Sequence, residues 1–167
     1  MREEQYTDMR GREIKARIGL VTVFGIAFGW LEAVVVVYIR RILEAERTID
    51  LTNIVVEQAD ATVMFIERTR EAATIVMLAC LALLAFRNWR RRIAAFLLVF
   101  AVWDIFYYVT LKILIKWPPS FATIDCLFLI PRPWIAPVWF PLLASLGMLV
   151  AAGLLFREGA AHRTTKR

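Results

Sequence analysis

In the apolar stretch VWDIFYYVTLKILIKWPP (102–119), Asp104, Tyr108 and Lys112 recur every four residues, with Tyr107 beside them. Four-residue spacing puts them on one face of a helix. Two more apolar stretches carry ionisable groups. Glu32 interrupts the run 18–39, and Arg70 and Glu71 stand at the head of the uncharged run 72–86. An ionised side chain at the centre of a bilayer costs about 2.5–3.5 kcal/mol even on lenient scales. Such groups are therefore paired, neutral or open to a water-filled cavity, and each case points them into a helix bundle.

The chemistry open to this set is narrow. Arg70 keeps its charge, and its planar fork can bridge two carboxylates, which makes it the expected partner of Asp104. Tyr107 and Tyr108 can donate hydrogen bonds to a carboxylate or a ligand. A carboxyl left without a cation can carry a proton. Two readings stay open for Glu32, Arg70, Glu71, Asp104, Tyr107 and Tyr108. They bind a small molecule, an ion or a proton, or they form a salt-bridge network that fixes helix register. A metal held only by Glu32, Glu67, Glu71 and Asp104 is disfavoured by the neighbouring arginines, so neither a metal nor another cofactor is expected.

Other chemistries lack their residues. The single histidine, His162, lies in the tail, which excludes bis-histidine haem ligation within the bundle. Cys80 and Cys126 are far apart and form no C-x-x-C pair, the motif a thiol oxidoreductase would need. Ser120 and Ser145 have no histidine to activate them, and there is no phosphate-cradling glycine loop.

The elements that must position these groups follow from composition. Of 167 residues, 60% are hydrophobic, more than a soluble domain carries. The apolar runs predict an all-α integral membrane protein, a bundle of four transmembrane helices in one domain. The expected spans are 18–39, 62–86, 93–115 and 134–156, with an N-terminal segment 1–17 and a tail 157–167. Positive residues cluster in 1–17, in RNWRRR (87–92) and after Arg157. The positive-inside rule then makes both termini cytoplasmic and turns the loops 40–61 and 116–133 outward. This distribution also accounts for the net charge of +6 without nucleic acid. The 17 arginines against 4 lysines suggest a GC-rich bacterial genome, hence a bacterial inner membrane.

Thr22, Gly25, Gly29 and Glu32 share one face of the first helix, and Ala144, Gly147 and Ala151 share one of the last. Both read as close-packing faces. Lys112 is long enough to snorkel to the headgroups. All six prolines lie in KWPPSFATIDCLFLIPRPWIAPVWFP (116–141), with Trp117, Trp134 and Trp139. This segment reads as an interfacial or re-entrant piece over the bundle, with Trp117, Asp125, Arg132, Trp134 and Trp139 as lid or interface residues.

The function expected first is binding or transport of a small molecule, ion or proton in the outer half of the bundle. Partners would be the lipid bilayer and further copies of the chain, or a larger membrane complex. The alternatives are an accessory or assembly subunit of such a complex, and a membrane-embedded enzyme acting on a lipid or isoprenoid.

Overall fold

The computed structural model describes residues 2–46, 61–130 and 132–161. Most of the loop 40–61 and His162 lie outside the described residues. The element order is α1 (Arg2–Glu46), α2 (Ala61–Ala85), α3 (Trp89–Ile115), β1 (Ile124–Phe128), β2 (Trp134–Pro137) and α4 (Trp139–Ala161).

Three helices are long and apolar enough to cross a membrane, over Gly11–Arg41, Trp89–Ile115 and Trp139–Arg157. The helix α2 is not among them. Glu67, Arg68, Arg70 and Glu71 put at least three charges into every 18-residue window of it.

The helix α3 is the centre of the bundle and packs against α1, α4 and α2. Its start is set by Asn88, whose side-chain oxygen accepts from the Arg90 and Arg91 amides at 3.0 and 3.4 Å. That satisfies two of the donors a helix N-terminus leaves open. Across the same turn, Arg17 donates to the Ala85 carbonyl and Arg92 to the Phe86 carbonyl, each at 2.7 Å. The carbonyls left free at the end of α2 are thus capped by cations from α1 and α3.

Gly25 and Gly29 bring α1 against α3. A methyl group at Gly29 would stand 2.6 Å from the Trp103 carbonyl oxygen, and one at Gly25 would stand 3.0 Å from the Val102 side chain. The apolar core beside this contact is built from Val21, Phe28, Leu78, Val99 and Trp103.

The close-packing face expected on the last helix is differently placed. Ala144 and Gly147 are exposed, and Pro141, Ser145 and Ala152 are the buried residues that turn inward. A buried hydroxyl with a partner on α3 outweighs the small-residue stripe in setting the rotation of α4.

The segment after α3 also departs from an all-α reading. Residues 134–137 are a strand rather than the start of the last helix, paired antiparallel with β1 in register Ile124–Pro137 to Phe128–Trp134, with a bulge after Cys126. Proline removes ladder donors, so Pro133 and Pro137 bound a strand that is short and on an edge. The Val138 and Trp139 amides close the hairpin base onto the Thr123 and Phe121 carbonyls at 3.0 and 2.9 Å. Phe128 docks it on the bundle, its ring stacked on Phe100 and tilted against Trp103.

Candidate functional site

The polar side chains gather at the hairpin end of the bundle in three linked groups. In the first, Arg70 of α2 donates to Glu67 on its own helix at 2.9 Å and to Glu32 of α1 through a second nitrogen. The side chains of Glu32, Glu67 and Arg70 are 12%, 17% and 28% exposed, so this triad is largely withdrawn from solvent. One turn of backbone brings Glu67 and Arg70 to the same face. Gly29, one turn before Glu32, lets α1 come close enough to complete the triad.

The second group ties the hairpin down. Both oxygens of Glu71 accept from the Leu129 amide at 3.0 Å. The Tyr108 hydroxyl donates to Asp125 of β1 at 2.9 Å. Lys112 donates to the Pro118 carbonyl at 2.7 Å and the Lys116 carbonyl at 3.4 Å. It therefore stabilises the turn leaving α3, where free carbonyls compete with the headgroups for its ammonium. Trp117 stacks on Tyr108, which in turn meets Tyr107 edge-on. The Arg40 guanidinium of α1 lies over Trp117, 4.2 Å from the ring centre.

The third group corrects the expected pairing of Asp104 with Arg70. Asp104 faces α4 and accepts a 2.7 Å hydrogen bond from Ser145. The reason is angular. Trp103 turns its carbonyl toward Gly29 of α1, and Asp104 stands about 100° further round the helix. Among the described residues no cation pairs with Asp104. Ser145, fully buried, is the functional candidate that sequence reasoning missed. A hydroxyl in an apolar helix was the available signal.

Of the remaining lid residues, Arg132, Trp134 and Trp139 are exposed, with Trp134 and Trp139 packed edge-on around Phe140. Trp117 and Asp125 face inward. A groove of about 310 Å³ runs between α2 and the hairpin, lined by Glu71, Ala72, Ile75, Phe128 and Ile130. Among the described residues no group of three or more His, Cys, Asp or Glu is arranged to hold a metal ion.

Electrostatically these groups form one layer. Glu32, Glu67, Glu71, Asp104 and Asp125 are all at least half-buried there, and among the described residues Arg70 pairs with Glu32 and Glu67 while Arg40 acts on Asp125. Tyr107 stands among Asp125, Arg40, Glu32 and Arg70. Burial pushes the Asp125 carboxyl above the ordinary carboxylate range, against the opposing pull of Tyr108 and Arg40. Burial also pushes the Cys126 thiol up to about 11.

A carboxyl whose proton is held more tightly in the folded state stabilises that state at low pH, and loses the contribution as pH rises through its folded value. The hairpin is therefore expected to loosen as Asp125 ionises. Labelling of Cys126 by a neutral thiol reagent should accelerate with pH more in the wild type than in Asp125→Asn. Equal pH profiles for the two proteins would count against this latch.

Compared with protein-family models, curated proteins and solved structures, the chain matches none, so its chemistry is read from its own residues.

Proposed function

We propose that the protein is a small multi-pass inner-membrane protein that binds or transports a cation, with Asp104 carrying a proton. In this reading α2 is a fourth span, both termini are cytoplasmic and the hairpin covers the outer face. The arginine clusters at 12–17 and 87–92 support that orientation.

The observation that carries the reading is the pairing within the polar layer. Among the described residues, Glu32 and Glu67 share Arg70, the Lys112 ammonium is taken up by backbone carbonyls, and the partner given for Asp104 is the Ser145 hydroxyl. A lone carboxylate at that depth would cost about 2.5–3.5 kcal/mol, which a bound proton or cation removes. Arg70 satisfies Glu32 and Glu67 and leaves Asp104 for the ligand. The exposed apolar faces of α1 and α4 fit lipid and further copies of the chain.

Infrared spectroscopy tests this reading. A protonated-carboxyl band is expected at neutral pH in the wild type and is expected to vanish in Asp104→Asn.

A second reading, an accessory subunit of a larger membrane complex, is favoured by the outward-turned Ala144 and Gly147 of α4, around which a methyl at Gly147 meets nothing within 4 Å.

A further inference from the structure

Arg40 is held in an unusual way for a half-buried cation. Its guanidinium carbon lies 4.2 Å from the centre of the Trp117 ring, yet among the described residues it makes no ion pair. The Trp117 ring beneath it is backed by Tyr108, with ring centres 6.2 Å apart and 22° between planes. Tyr108 in turn holds Asp125 by its hydroxyl at 2.9 Å, and Asp125 feels the Arg40 charge without touching it. An electron-rich face braced by a second ring, with a carboxylate nearby, is the construction used to hold guanidinium and quaternary ammonium groups.

The site also lies at the hairpin end, where α1, the turn after α3 and β1 converge. Among the described residues, the backbone packing at this point does not depend on Arg40. The packing of α1 on α3 is set lower down by Gly25 and Gly29, and the turn after α3 is already held by Lys112.

We propose that Trp117, Tyr108 and Asp125 form a receiving box for a compact organic cation, a guanidinium or quaternary ammonium group, which Arg40 occupies until the ligand displaces it. This deepens the cation reading above and rests on it. Arg40 acts as an internal competitor. It neutralises the box when empty and swings aside when a better cation arrives. Among the described residues its hold is a ring contact and a longer-range attraction to Asp125, so displacement breaks no ion pair within that set.

The test is calorimetric titration of the protein in lipid nanodiscs with tetramethylammonium and methylguanidinium chlorides, against sodium chloride at matched ionic strength. The wild type is expected to bind one or both saturably. Removing the competitor in Arg40→Ala should tighten binding about tenfold, since an apparent affinity is reduced by the fraction of protein whose site is blocked. Trp117→Leu should abolish it. Asp125→Asn should weaken it and serves as the second variant if Trp117→Leu fails to fold. Absence of saturable binding in both wild type and Arg40→Ala overturns the proposal, as does binding that neither Trp117→Leu nor Asp125→Asn alters. The carboxyl band of Asp104 separates the two claims. A band present without cation binding overturns the box alone. Cation binding without the band retains the box and overturns the assignment of a proton to Asp104.

Discussion

Arg70→Gln is expected to destabilise the protein by about 2–4 kcal/mol, somewhat below the range for breaking a fully buried ion pair because the triad keeps some solvent contact. The substitution leaves Glu32 and Glu67 facing each other across α1 and α2 with no cation between them. Most of the loss is the cost of stranded charge, so part of it should return in Arg70→Gln/Glu32→Gln, where one carboxylate becomes neutral. Arg70→Gln/Asp104→Asn should show no such recovery, since Asp104 is bound to Ser145 and has no contact with Arg70. Denaturant titration in detergent of the two doubles beside the singles reads this directly, because a double-mutant cycle isolates coupling between neighbours. Coupling between Asp104 and Arg70, and none between Glu32 and Arg70, would contradict the arrangement.

A comparable loss, about 3 kcal/mol, is expected from Gly29→Ala, at the upper end of the usual cost of overpacking a close contact. The added methyl would sit 2.6 Å from a backbone oxygen of α3, and a backbone atom cannot swing aside as a side-chain tip can. The helices α1 and α3 would have to part, which also draws Glu32 away from Arg70. Gly19→Ala supplies the matched control. Nothing lies within 4 Å of the added carbon there, and alanine in place of a mid-helix glycine should gain about 0.5–1 kcal/mol. Thermal unfolding of both variants in the same detergent checks the pair. Equal midpoints would show that the approach of α1 to α3 is looser than described.

Much of the scaffold could be read before the structure, and the reasons are physical. Long uncharged runs have few alternatives to a membrane-length helix, so the apolar stretches around Gly25, Val99 and Leu149 announce themselves. Gly25, Gly29 and Glu32 share a face by simple angular arithmetic, and that face does meet α3 and Arg70. The hairpin was harder to see. Its strands are four and five residues long, and their prolines read equally well as an irregular interfacial segment.

The partners of the carboxylates were the least legible part of the candidate site. Angular position on one helix says which way Asp104 points, but the neighbour it meets depends on how α4 is rotated. That rotation followed Ser145 and left Ala144 and Gly147 of the small-residue stripe outside. Arg40 and Trp117 are separated by nearly half of the chain, and no spacing rule brings them together. Only packing at the hairpin end does so.

Asp104, which accepts from Ser145 and pairs with no cation among the described residues, is expected to be neutralised by a proton. Infrared difference spectroscopy of the protein in lipid, between neutral and alkaline pH, measures that proton. A protonated-carboxyl band is expected that is present in the wild type, persists in Glu32→Gln, shifts in Ser145→Ala and is absent in Asp104→Asn. A carboxyl region that is identical in wild type and Asp104→Asn would mean that Asp104 holds no proton, and would overturn its role as a proton carrier.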